Sequence, residues 1–253
     1  MFSVITIICL VSLLAFPTFM LCLCYPFSKR AALFWSNYIT DRSARIFFSV
    51  LKLYRHFYFD GNEKDIEKLP PQFLLISNHQ SIIDIVVYLR YFIPKRIVRF
   101  VAKDALNSVP MVGKMLRSQG HCMIPRKGGA GVAMRSLEKF GKRMLEKNQC
   151  PVIFPEGTRS RDGNLGPFYA AGFRRLSETV HLPVVVCALD GGWRLSGIAD
   201  IMKNLYKGVY HVKVLKVYDA PSSKEEEKAI LEEAPLLIQK QLDQWRSVSS
   251  SVV

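Results

Sequence analysis

The chain has 253 residues, with 35 Lys plus Arg against 21 Asp plus Glu, a formal net charge of +14 and 49% hydrophobic residues. That composition excludes a disordered tail, a collagen-like repeat and a disulfide-dense miniprotein, and the length suits one sizeable domain with an appendage. The charge is unevenly spread: residues 1–28 carry no charged side chain.

From Phe2 to Phe27 the chain is almost wholly apolar, and Lys29 and Arg30 follow at once. A secretory signal puts its charges before the apolar run and a small-residue cleavage site after it. Neither occurs, so 1–28 is expected to be a retained membrane anchor, long enough for the roughly 20 residues of a spanning helix. Pro17 and Pro26 also allow a kinked helix that dips into one leaflet. Between residues 29 and 55 stand Lys29, Arg30, Arg42, Arg45, Lys52 and Arg55 against Asp41 alone. If the anchor spans, this bias puts the active domain on the cytoplasmic face, and the compact form suggests a bacterial inner membrane. Residues 29–69 read as a basic, aromatic interfacial segment, with Phe34, Tyr38, Ile46, Val50, Leu53 and Phe57 at roughly helical spacing.

A domain over 70–253 should follow. Strands are expected in PQFLLIS after residue 70, at 96–102, 121–124, 151–154, 182–189 and 210–218. Helices are expected at 82–92, in broken form at 104–117, at 130–147, 170–180 and 223–246. Val132, Leu137, Phe140, Met144 and Leu145 mark one apolar helical side, and Glu225, Glu226 and Glu227 suit a helix start. The alternation implies an α/β fold: a single domain with a largely parallel central sheet flanked by helices, plus the N-terminal hydrophobic helix. Six scattered cysteines, without metal-ligand spacing, suggest free thiols in a reducing compartment and no metal site.

Three post-strand loops carry chemistry. Ser77-Asn78-His79-Gln80-Ser81-Ile82-Ile83-Asp84 holds a histidine and an acid five apart. On one regular helix those two point about 140° apart. They meet only if His79 lies in the loop and Asp84 in the first turns of the helix. Asp84 could then orient the imidazole, and His79 could act as general base on a hydroxyl. A histidine capping a helix end is the equal alternative on spacing alone. Phe154-Pro155-Glu156-Gly157-Thr158-Arg159 offers a glycine for close approach and donors for phosphate. Pro125-Arg126-Lys127-Gly128-Gly129 is a third loop, basic and glycine-containing. Together they suggest deprotonation of a hydroxyl on a phosphate-bearing substrate.

Asn78-His79-x4-Asp84, followed by Phe154-Pro155-Glu156-Gly157-Thr158-Arg159 with the Arg126 loop between, resembles the glycerolipid acyltransferases of the 1-acylglycerol-3-phosphate (lysophosphatidate) type, over about 70–190. The resemblance implies that His79 removes the acceptor hydroxyl's proton, Asp84 orients His79, and Asn78 supports the loop. It implies that Glu156, Gly157, Thr158 and Arg159 bind the acceptor, with Arg159 and Arg126 on its phosphate. The hydroxyl attacks the thioester directly, without an acyl-enzyme. Acyl-CoA or acyl carrier protein is the expected donor co-substrate, with no bound cofactor and no nucleic acid; a phospholipid membrane and a lysophospholipid are the expected partners. Three departures bear on the acceptor. Pro125 precedes Arg126 where relatives commonly carry an acid or amide. Phe168-Tyr169-Ala170-Ala171-Gly172 lacks a lysine that relatives often show, and Pro183 lacks a second proline after it. A second acceptor class, another lysophospholipid or a lyso-ornithine lipid, therefore stays open. So does a non-enzymatic polyanion-binding protein, which the net charge permits. Basic residues around Lys95, Arg96 and Arg99 are a further expected docking surface for an acidic carrier or CoA.

Overall fold

Short apolar runs alternate with amphipathic helices, and the computed structural model assembles them into three layers. It describes residues 2–125, 129–195, 200, 204, 206 and 208–250. The strands are β1 (Phe57–Gly61), β2 (Leu74–Ser77), β3 (Val98–Lys103), β4 (Cys122–Ile124), β5 (Cys150–Ile153), β6 (Val184–Asp190) and β7 (Gly208–Tyr218). They form one sheet in the order β1-β7-β6-β2-β5-β3-β4. Strands β2 to β6 run parallel, whereas β7 is antiparallel to β6 and parallel to β1. β2 and β6 are buried along their whole length, as expected of strands covered on both faces.

The helices are α1 (Phe2–Cys24), α2 (Lys29–Tyr38), α3 (Ala44–Arg55), α4 (Asp84–Phe92), α5 (Pro110–Gln119), α6 (Gly129–Glu146), α7 (Ala170–Val180) and α8 (Lys224–Ser250). One face of the sheet, through Leu75, Phe100, Val152 and Val185, packs on Leu51 of α3 and on Val87, Tyr88 and Phe92 of α4. The other, through Leu74, Ile76, Val184 and Val186, packs on Phe140 of α6, Phe173 of α7 and Ile238 of α8. Two hydrophobic seams thus clamp a sheet whose parallel strands present their carboxyl ends at one edge.

Two expectations change at the N-terminus. The sheet begins before residue 70: α3 stops at Arg55, His56 takes the left-handed conformation, and β1 pairs Phe57 with Gly208. The segment expected to be helical through Phe57 therefore supplies an edge strand. Among the described residues, no helix is long and apolar enough to cross a membrane. The expected transmembrane helix is therefore without support among them. α1 turns at 25–28 and lies along α2 and α5, with Leu21 buried against a cluster that includes Ala32 and Leu116. Phe16 meets Trp35 edge-on at 5.5 Å, and Tyr25 Oη accepts from Arg117 at 2.8 Å. A helix committed on one side to protein is not a free-standing span.

Candidate active site

Chain direction places the site. β2, β5 and β6 are parallel neighbours, so the loops that leave their carboxyl ends meet at one edge, where open α/β sheets hold ligands. His79 leaves β2, Glu156 follows β5, and Asp190 ends β6. β7 runs the other way, so its first residues, including Tyr210, come to the same edge.

His79 lies in the loop before α4, and Asp84 opens that helix. His79 Nδ1 is 2.6 Å from Asp84 Oδ2. The same oxygen accepts from Gln80 N at 2.7 Å and Ser81 N at 3.0 Å. Tyr210 Oη donates to the other oxygen, Oδ1. Four donors converge on one fully buried carboxylate, which suits an acceptor-only group. Burial, then the Asp84 charge, holds the Tyr210 phenol well above its ordinary range, so it stays a donor. The imidazole stacks on Phe154 with centroids 4.1 Å apart and planes at 9°. With Nδ1 on Asp84, Nε2 is left at the opposite edge of a ring that is 18% exposed. Such a nitrogen can accept a proton and return it.

The Glu156 loop grips the His79 backbone at both ends. Glu156 Oε1 accepts from His79 N at 2.7 Å, and Ser160 N donates to His79 O at 2.8 Å. Glu156 Oε2 accepts from Gly166 N at 2.8 Å. Burial raises the Glu156 carboxyl, against the lowering effect of these two amides. Asn78 is likewise turned inward: its Nδ2 donates to Leu189 O at 2.8 Å, and its Oδ1 accepts from Leu189 N at 3.0 Å. Asn78, expected to support the loop, and Glu156, expected among the acceptor ligands, each hold backbone in the fold. Gly157, at φ 63°, turns the chain outward, and Thr158 and Arg159 are exposed beside it. Arg126 lies outside the described residues, although β4, which precedes it, ends at the same edge.

Other sequence candidates resolve into structure. His121 is buried with Nδ1 accepting from Phe100 N at 2.9 Å and Nε2 3.0 Å from Gln119 Oε1. Burial, then Arg99 and Arg143, hold it well below its ordinary value, so it is a neutral core histidine. Burial pushes the Cys122 thiol up to about 11, as suits an inert group. Ser81 Oγ donates to Leu195 O inside the fold. The expected docking surface around Lys95, Arg96 and Arg99 is corrected: Lys95 pairs with Glu67, Arg96 holds Leu69 O and Pro70 O, and Arg99 is buried. Among the described residues, no group of three or more His, Cys, Asp or Glu side chains could hold a metal ion.

Comparison with known proteins bears on the family and the fold. A family model described as Acyltransferase matches residues 61–190. The 1-acyl-sn-glycerol-3-phosphate acyltransferase of Limnanthes douglasii is 38% identical over 124 residues, 48% of this chain and 43% of that protein. The enzyme of that name from Helicobacter pylori is 35% identical over 111 residues, 44% of this chain and 45% of that protein. The chain thus spans under half the length of either relative. The crystal structure of the 1-acyl-sn-glycerophosphate (LPA) acyltransferase of Thermotoga maritima superposes with a TM-score of 0.65 at 18% identity, covering 97% of this chain and 98% of that one. At that identity the likeness is one of fold.

Proposed function

The chain belongs to the acyltransferase family, and from that premise we propose that it moves a fatty acyl group from a thioester donor to the free hydroxyl of 1-acylglycerol-3-phosphate, giving phosphatidate. The pairing of His79 Nδ1 with Asp84 Oδ2 at 2.6 Å carries this reading. His79 Nε2 takes the hydroxyl proton as the oxygen attacks the thioester carbonyl. The tetrahedral intermediate collapses, the C–S bond breaks, and the thiolate leaves with the proton from the imidazolium. Asp84 holds the ring's orientation and faces its positive charge during the step. No acyl-enzyme forms, because the acceptor itself is the nucleophile.

Arg159 binds the acceptor phosphate, with Thr158 and the Gly157 backbone beside it; Arg126 joins them on the resemblance of its motif. Asn78 and Glu156 act as positioning residues. The donor is acyl-CoA or acyl carrier protein, used as co-substrate. The acceptor arrives from a phospholipid surface. Phe16, Phe19, Phe27, Phe34 and Leu53, between the start of α1 and the end of α3, are all more than half exposed, and with Lys29, Arg30 and Lys52 near them in sequence they suit a membrane contact. The hairpin therefore seats on one leaflet.

A second acceptor class is favoured by one observation. Tyr169, in the run that lacks the lysine, is 63% exposed and donates its N–H to Pro155 O at 2.9 Å, at the start of the acceptor loop. Presenting the full-length protein with lysophosphatidate, other lysophospholipids and a lyso-ornithine lipid, each with acyl-CoA and with acyl carrier protein, separates the readings. Fastest transfer to lysophosphatidate supports the first. Transfer only to a lysolipid without the terminal phosphomonoester rejects it, and transfer to none rejects both.

A further inference from the structure

The last helix reaches the site through one guanidinium. Arg246 of α8 donates Nε to Asp190 Oδ2 and Nη2 to Asp190 Oδ1, each at 3.0 Å, and Nη2 also to Gly163 O at 2.7 Å. Asp190 ends β6, while Gly163 lies in the loop that begins with Glu156. One fork therefore ties together the loops that follow β5 and β6. Asp190 Oδ1 accepts a further bond, from Gln80 Nε2 at 3.0 Å. Gln80 Oε1 in turn accepts from Gly192 N at 3.0 Å and Trp193 N at 3.3 Å. Gln80 is the residue after His79, and its own N–H is one of the four donors to Asp84.

The approach is tight. A Cβ on Gly163, which sits at φ 85°, would lie 2.9 Å from Arg246 Nη2 and 3.0 Å from the Trp193 ring. One on Gly192 would lie 2.9 Å from Asp84 Oδ1 and against Tyr210 Oη. Gln80 is 1% and Asp190 6% exposed, so each depends on its partners within the protein. The Arg246 side chain, by contrast, is 35% exposed. Its removal leaves a space open to water at the rim rather than a cavity in the core.

We propose that Arg246 is a positioning residue for acyl transfer: it fixes Asp190, Asp190 fixes Gln80, and Gln80 keeps the His79 loop in the geometry that aims Nε2 at the acceptor hydroxyl. This rests on the reading of His79 as the base. Planarity matters, because only a fork can reach both Asp190 oxygens and Gly163 O at once. Misplacement of a reacting group by about 1 Å costs up to about 10²-fold in rate.

The test compares Arg246→Ala, Arg246→Lys and Asp190→Asn in the full chain, with kcat and both KM values measured beside urea midpoints. Arg246→Ala is expected to lower kcat at least about tenfold with donor KM little changed; the urea midpoint falls as buried Asp190 loses a charged partner, while the protein stays folded under assay conditions. Guanidinium ion at low concentration restores part of kcat. Arg246→Lys is expected to stay impaired, since an ammonium cannot fork. Adding Asp190→Asn to Arg246→Ala costs little more, as for two members of one chain of contacts. Unchanged kcat in a folded Arg246→Ala or Arg246→Lys protein overturns the proposal, as does a loss that follows only the unfolded fraction. His79→Ala is assayed alongside. If it stays fully active, the base reading fails; if it is inactive while Arg246→Ala is normal, only the positioning role fails.

Discussion

At the scale of single residues, the site is a carboxylate surrounded by donors and a ring held between that carboxylate and Phe154. Spacing alone leaves His79 and Asp84 open between a paired site and a helix cap, and the resemblance of their motif singles them out; the fold puts them at the junction of loop and helix, where five-residue spacing lets them meet. The Glu156 motif is readable as a loop, but not as a clamp: nothing in its letters says that the carboxylate would turn inward to the amides of His79 and Gly166. Tyr210 is invisible in the same way. It arrives 126 residues after Asp84 from an antiparallel strand, and a tyrosine at a strand start is ordinarily core. Its role follows from chain direction, which a single sequence does not print. Removing the hydroxyl leaves Asp84 Oδ1 without a donor in a buried setting. Tyr210→Phe is therefore expected to destabilise the fold by about 1.5–3 kcal/mol, the range for a hydrogen bond to a charged group. It should also lower kcat, because the carboxylate that orients His79 is less firmly held. Urea denaturation and steady-state kinetics check both; a variant equal to wild type in each would remove Tyr210 from the site.

At the scale of elements, most of the sheet and its flanking helices follow from periodicity, and the exceptions have local causes. β1 was hidden because Phe57-Tyr58-Phe59 continues an aromatic, basic run whose earlier part is helical. The break is a left-handed His56, without a glycine or proline to announce it. Parallel pairing of β1 with β7, across 151 residues from Asp60 to His211, is a long-range contact that no local pattern encodes. The expected span at α1 lacks support for a related reason: apolarity over residues 1–28 says that the segment avoids water, and not whether lipid or protein replaces it. The fold divides the task. Leu21 is buried on protein, while Phe16, Phe19 and Leu23 are more than half exposed. If that face seats on a bilayer, Phe16→Ser, Phe19→Ser and Phe34→Ser combined should weaken flotation with anionic vesicles while leaving α1 helical by circular dichroism. High salt should weaken wild-type flotation as well, since Lys29, Arg30 and Lys52 add a screened attraction. Undiminished flotation of the triple variant would place the contact elsewhere.

At the scale of the whole molecule, the excess of positive charge that composition displays is not one surface. Part of it is consumed internally: Arg96 holds a loop, Arg99 is buried, and Arg246 joins two loops to the last helix. Part lies beside the apolar hairpin. Arg159 stands at the edge of the sheet where His79 lies. Net charge alone was compatible with nucleic acid as a partner; this division of charge suits the proposed phospholipid acceptor. All of this turns on His79 as the proposed base for transfer to a lysophosphatidate hydroxyl. The most direct measurement is single-turnover acyl transfer from labelled acyl-CoA or acyl carrier protein to lysophosphatidate by wild type and His79→Ala, each shown folded by circular dichroism. General-base catalysis contributes about 10²–10⁴-fold, so His79→Ala is expected to lose at least about 10²-fold, with no acyl-protein accumulating in either. Full transfer by His79→Ala, or a labelled acyl group trapped on the wild-type chain, would contradict it.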